Sequence, residues 1–143
     1  MSLLLRECGI TITTESPVGD HGDTAKMAMI KLTANTLLSS EGVCGAICDA
    51  FSIADPRMLN WDAIDDYLIE FDWAAWSKVI VCVEDARRIF SCNCIDRIIF
   101  LKLMSKFSLY WKHRGKEVEV YLVGDMVLAR FVQMVVSPWN TSG

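Results

Sequence analysis

The sequence contains no long apolar run, although 52% of its 143 residues are hydrophobic and its mean hydropathy is +0.30. A helix that crosses a membrane needs about 18 or more consecutive apolar residues. Lys102 interrupts the apolar segment 98–104, and Arg130 and Gln133 interrupt the segment 127–136. The opening stretch MSLLLREC is too short for the apolar part of a signal peptide. We therefore expect a cytoplasmic protein that does not bind membranes.

Proline and glycine are scarce, with 3 and 8 residues respectively. Together with 22% charged residues, this scarcity indicates a globular chain and not a disordered one. The length suits one domain, and no repeat or linker interrupts it. The sequence therefore predicts a single globular domain that spans residues 1–143.

Among the cysteines there is no CxxC pair, and neither histidine lies next to a cysteine. Cys44 and Cys48 have the spacing of neighbours on one helix face, and Cys92 and Cys94 form a CxC. Without a signal peptide, a chain of this size is expected to keep its thiols reduced. Zinc sites usually show a different ligand spacing. We therefore predict six free thiols, and neither disulfides nor a zinc site: Cys8, Cys44, Cys48, Cys82, Cys92 and Cys94.

The common catalytic motifs are also absent. The sequence has no glycine-rich phosphate loop, no nucleophile elbow and no HExxH. His113 lies beside Lys112 and Arg114, where a cationic last helical turn explains it. Cys82 lies in an apolar segment and is interpreted as a small core residue. These features favour a protein that is not an enzyme and needs no cofactor.

Basic residues are rare in one long segment. Residues 41–85 contain ten acidic and two basic residues, a net charge of −8, whereas the remainder has a net charge of +4. A strongly acidic segment disfavours direct contact with nucleic acid, because phosphates require a positive surface. It favours a positively charged partner instead.

The pattern of apolar residues predicts alternating strands and helices. Helical spacing alternates with short buried or period-two runs, and such an order implies crossover connections between parallel strands. The fold class is therefore α/β, with a mostly parallel sheet covered by helices. The predicted strands are 8–14, 26–33, 78–85 and 117–123; the predicted helices are 36–51, 61–72 and 92–113, with a break at 54–57. The tail 126–136 fits either a strand or a helix, and we favour the strand.

The most informative segment is NWDAIDDYLIEFDW, residues 60–73, which carries five carboxylates and no base. Asn60 is a favourable N-cap for the helix 61–72. At about 100° per residue, the apolar side chains of this helix fall on one arc and the acids on the opposite arc. Ile69 lies in the middle of the acidic arc. The acidic side chains are Asp62, Asp65, Asp66, Glu70 and Asp72.

Three interpretations of this acidic arc remain open. The helix dipole favours carboxylates in the first turn, which accounts for Asp62 and Asp65 without any function. Asp62, Asp66 and Glu70 stack at i, i+4, where like charges cost roughly 0.2–0.5 kcal/mol per pair. The arc is therefore a protein-binding face, a merely solvated face, or a weak Ca²⁺ or Mg²⁺ site of a small metal-dependent enzyme.

The segment NWDAIDDYL also resembles a motif of the barstar family, the intracellular inhibitors of barnase-type ribonucleases. The surrounding elements have the order of that family: the strand MAMIKL, a helix, the motif helix, the strand KVIVCVED, a long helix and the strand EVEVYLV. The resemblance covers residues 26–124. It implies a three-stranded parallel sheet flanked by helices, with extensions at both ends of the chain.

The resemblance also implies how the chain would act. In that family the motif helix enters the nuclease active site, where its acids replace substrate phosphate. Asp66 matches the principal acid, Asp62 the second acid and Asn60 the asparagine at the start of the helix. Ile69 and Glu70 match neighbouring contact positions, and Asp65 completes the expected contact surface. The expected partner is a basic ribonuclease or toxin nuclease; the alternatives are a non-nuclease partner and a metal-dependent enzyme, and the tail 126–136 could support a homo-oligomer.

Overall fold

The computed structural model describes most of the chain as one sheet with four α-helices. The described residues are 2–5, 8–15, 27–33, 39–51, 60–91 and 94–136. The strands are β1 (Ser2–Leu5), β2 (Ile10–Thr13), β3 (Met27–Thr33), β4 (Lys78–Glu84) and β5 (Glu117–Val123). The helices are α1 (Ser40–Phe51), α2 (Trp61–Ile69), α3 (Cys94–Lys112) and α4 (Met126–Val136), with 3₁₀ turns at Trp73–Ala75 and Ala86–Ser91. The predicted break at 54–57 lies outside the described residues.

The sheet has the strand order β1-β2-β5-β4-β3. β2, β5, β4 and β3 run parallel, and β1 pairs antiparallel with β2 at the edge. The predicted α/β class and mostly parallel sheet are confirmed. The predicted number of three strands is wrong for this sheet, because the N-terminal segment adds β1 and β2 beside β5.

One face of the sheet forms the core of the molecule. Side chains alternate between the two faces of a strand, so every second residue of each strand points to this face. On β3, β4 and β5 it carries mostly β-branched or branched residues that are less than a tenth exposed. Burying them supplies the main stabilisation of the fold. They are Ala28, Ile30, Leu32, Val79, Val81, Val83, Val118, Val120 and Leu122.

The other face of the sheet carries ionisable groups. Lys78 Nζ lies 3.2 Å from a Glu119 carboxylate oxygen, and the Tyr121 hydroxyl donates a hydrogen bond to Glu119 over 3.0 Å. Burial and the adjacent Glu119 raise the pKa of Tyr121 to about 12. Cys82 is fully buried on this face, which agrees with its interpretation as a small core residue.

Helix α3 is the central helix of the fold. It packs against β5, α2 and α4, and its buried side chains include Phe100, Met104 and Phe107. Gly115 follows it with φ +77°, the left-handed conformation in which a glycine commonly ends a helix. Ile95, in the first turn of this helix, is 68% exposed.

The C-terminal segment is a helix, so the prediction of a strand for 126–136 is wrong. Asp125 caps α4, because its Oδ1 accepts hydrogen bonds from the backbone N–H groups of Val127 (3.1 Å) and Leu128 (3.3 Å). Leu128 and Val132 are buried at helical spacing. The valine-rich composition suggested a strand, but the cap and the four-residue spacing decide the outcome.

Three further predictions concern the start of α1, the cysteines and the membrane-spanning segments. Helix α1 begins at Ser40, later than predicted, because Ser39 caps it through a 3.1 Å hydrogen bond from the Gly42 N–H. The four cysteines whose side chains are described are buried and are not in disulfides, as predicted; Cys92 and the Cys94 side chain lie outside the description. Among the described helices, none combines the length and apolar character that a membrane crossing requires.

Candidate protein-binding site

Helix α2 begins at a well-formed cap. Asn60 has extended backbone angles (φ −142°, ψ 170°), and its Oδ1 accepts a hydrogen bond from the Ala63 N–H over 2.8 Å. An asparagine here satisfies one of the backbone donors that a helix start leaves without a partner. The predicted cap is confirmed, and it fixes the position of the acids that follow.

The C-terminal end of α2 differs from the prediction. The helix ends at Ile69 and not at residue 72, and the Glu70 N–H donates the last helical hydrogen bond to the Asp66 carbonyl. Phe71 then packs into the core, 5% exposed. Asp72 accepts a hydrogen bond from the Ala74 N–H over 2.9 Å and caps the following 3₁₀ turn. Asp72 therefore has a structural role and does not belong to the acidic face.

Buried contacts hold α2 firmly against its neighbours. Ile64 and Leu68 are at most 1% exposed. Trp61 donates an indole hydrogen bond to Asp96 at the start of α3 (3.0 Å), and Trp111 near its end donates one to the Leu68 carbonyl (2.7 Å). Both ends of α2 are thus tied to α3, and the two helices run in the same direction. The acids of α2 are presented on a rigid element.

The outer face of α2 carries three exposed carboxylates. Asp62, Asp66 and Glu70 follow one another at four-residue spacing and are exposed. No side-chain hydrogen bond or ion pair involves them among the described residues. Ile69 lies beside them and is half-buried. This stripe of Asp62, Asp66 and Glu70 is called the acidic stripe below.

Asp65 differs from the other acids because it already has a cationic partner. Its Oδ2 lies 2.9 Å from the Lys106 Nζ of α3, and its side chain is 33% exposed. Its Oδ1 is buried and accepts no hydrogen bond. Asp65 therefore helps to join α2 to α3, which sequence reasoning missed, and its part in partner binding stays a prediction.

A cleft of about 220 Å³ lies between α2 and α3 and includes Asp62 of the acidic stripe. Asp62 and Asp65 line one side, and Lys102 and Lys106 line the other. Trp61, Ile99 and Leu103 supply its apolar lining. A sign of this arrangement was present in the sequence, since Lys102 and Lys106 lie four residues apart and therefore share a helix face.

The geometry of α2 suits ionic recognition better than metal binding or acid–base chemistry. Among the described residues, no three His, Cys, Asp or Glu side chains are grouped so that they could share a metal ion. Asp62, Asp66 and Glu70 therefore do not form such a group, and their interpretation as a metal site stays a prediction. On the inner side of α2, burial raises the pKa of Tyr67, with smaller effects from Cys48 and Asp72. The acidic stripe can accept hydrogen bonds from Arg and Lys side chains.

Comparison of the chain with protein-family models, with curated proteins and with solved structures finds no match.

Proposed function

We propose that the protein is a cytoplasmic inhibitor, of the immunity or antitoxin type, that blocks a basic ribonuclease or toxin nuclease with α2. Asp66 and Asp62 are its principal contacts, and Asn60, Asp65, Ile69 and Glu70 surround them. A nuclease that binds phosphates must present a cationic pocket. Carboxylates on a rigid helix can occupy that pocket in place of phosphates.

The observation that carries this proposal is the acidic stripe itself. Three exposed carboxylates without a described cationic partner repel one another along one helix face. The helix keeps them in place through its cap and its bonds to α3, so little conformational entropy is lost when a partner binds. The resemblance of NWDAIDDYL to the barstar motif supports the same assignment, and the barstar-like arrangement of β3, β4 and β5 is part of the proposal.

The leading alternative is a protein-interaction module that uses the same face on a non-nuclease partner. Lys102 and Lys106 give this alternative a specific basis, because they place positive charge next to the acidic stripe. A purely cationic pocket would be repelled by them, whereas a partner with mixed charges would not.

The test is calorimetric titration of the chain into a panel of small basic ribonucleases and toxin nucleases, with nuclease activity measured in parallel. We expect at least one nuclease to be bound and inhibited. We expect Asp66→Ala to weaken that binding by about 2 kcal/mol or more, as for a central contact in an interface.

The matched control is Asp49→Ala, which removes an exposed carboxylate from α1 and should change binding by less than about 0.5 kcal/mol. Inhibition that is insensitive to Asp66→Ala would refute the acidic-stripe mechanism. An absence of binding across the panel would refute the nuclease assignment and favour the non-nuclease partner.

A further inference from the structure

We infer that α2 and α3 form a self-complementary face through which two copies of this chain associate. The face consists of the acidic stripe on α2, the exposed side of α3 and the cleft between them. The inference rests on the charges of this face and not on the proposed function. Its occupant is a second copy of the chain.

The exposed side of α3 forms a mixed basic and apolar stripe. Ile95, Ile99, Lys102 and Lys106 fall within an arc of about 60° on a helix with about 100° per residue. Ile95 is 68% exposed, and Lys102 and Lys106 are exposed. The exposed Ile95 and the half-buried Ile99 lie next to two lysines. This is the composition of an interface with a partly apolar centre and a charged rim.

The two stripes match each other in direction and in spacing. α2 and α3 run in the same direction, since Trp61 contacts Asp96 at one end and Leu68 contacts Trp111 at the other. Asp62 and Asp66 are four residues apart, as are Lys102 and Lys106, which gives about 6 Å along each axis.

A two-fold axis brings the acidic stripe of each copy against the basic and apolar stripe of the other copy. Symmetric dimers bury the same patch of both subunits, so a self-complementary patch must carry both halves of each contact. We place the two-fold axis along the cleft and parallel to both helices. α2 of each copy then lies opposite α3 of the other copy, and the helices of the two copies run in the same direction. Because Asp62 and Lys102 line the same cleft, the axis brings Asp62 of one copy level with Lys102 of its partner.

Sedimentation velocity over a concentration series tests the dimer. We expect wild-type chain to self-associate, and we expect the dimer to weaken when salt rises from about 0.05 M to about 0.5 M, because the Debye length shrinks. Asp62→Lys and Lys102→Glu should each raise the dissociation constant at least about tenfold, since each places like charges together. Circular dichroism verifies that both variants fold.

The decisive experiment mixes the two variants and measures whether they associate. Asp62→Lys and Lys102→Glu chains restore opposite charges at both contacts, so the mixture should form a one-to-one dimer with an affinity near that of wild type. Lys31→Glu is the control, because Lys31 is exposed on β3 and points to the opposite face of the sheet; it should leave the dimer intact.

Three results would overturn the inference. These are a wild-type monomer throughout the series, a dimer indifferent to both reversals, and reversals whose mixture does not reassociate. None of them bears on whether a nuclease is bound, which the Asp66→Ala titration decides separately. If both interactions exist, the second copy and the partner compete for the acidic stripe.

Discussion

At the residue scale, the oxygen and the NH₂ group of the Asn60 side chain differ in what they contact. Its Oδ1 is committed to the Ala63 N–H, so the oxygen belongs to the fold. Its amide NH₂ is a donor that makes no such contact within the helix and can contact a partner. For Asp65 only structural contacts are described, since one oxygen pairs with Lys106 and the other is buried. Asp62, Asp66 and Glu70 have no described structural partner, so partner binding is the simpler account of them.

Replacement of Asn60 tests this division. Asn60→Ala removes the cap and should lower the free energy of unfolding by about 1 kcal/mol. Asn60→Asp keeps the acceptor and should retain stability near that of wild type. Urea unfolding followed by circular dichroism measures both. If the amide also donates to the partner, Asn60→Asp will lose affinity while it keeps stability; an equal loss of stability in both variants would contradict the cap.

At the element scale, the two ends of α2 show what sequence can and cannot predict. The start was predictable, because a cap is a local interaction between Asn60 and Ala63. The end was not, because it depends on Phe71 entering the core and on Trp111, 43 residues away, bonding to the Leu68 carbonyl. Helical periodicity continues through residue 72, but tertiary contacts outweigh it. The acidic face was therefore predictable at Asp62 and Asp66, whereas the pairing of Asp65 with Lys106 was not.

The bond from Trp111 to Leu68 should be the main polar tie at the end of α2. Trp111→Phe keeps an aromatic ring but leaves a carbonyl in the last turn without its donor, and we expect a loss of about 1–2 kcal/mol in the free energy of unfolding. The control is Trp76→Phe, because Trp76 packs against Phe51 at 5.5 Å and no indole hydrogen bond is described for it. Urea unfolding compares the two variants. Equal losses would show that ring size, and not the hydrogen bond, matters.

At the scale of the whole molecule, the sheet and the charge distribution determine what the acidic stripe can meet. β3, β4 and β5 were predictable from short buried or alternating runs, and Val118, Val120 and Leu122 of β5 are buried as the period-two pattern requires. The strand β1 was missed because four residues at an edge give too little pattern. Residues 41–85, which include α2, have a net charge of −8, and this negative charge favours a cationic partner. The positive charges of Lys102 and Lys106 make the potential less negative on one side of the cleft.

Two neutral substitutions of the cleft should change the association rate in opposite directions. For a cationic partner, Asp62→Asn should slow association because it removes attraction, and Lys102→Gln should accelerate it because it removes repulsion. The difference in association rate between each variant and wild type should become smaller as salt rises from about 0.05 M to about 0.5 M, since salt screens exposed charges. Stopped-flow mixing with the bound nuclease, at dilutions where the chain is monomeric, measures these rates. Because the two side chains line the same cleft, a shape effect would move both rates in the same direction. That result, or rates independent of salt, would show that the charge of this face does not guide the partner.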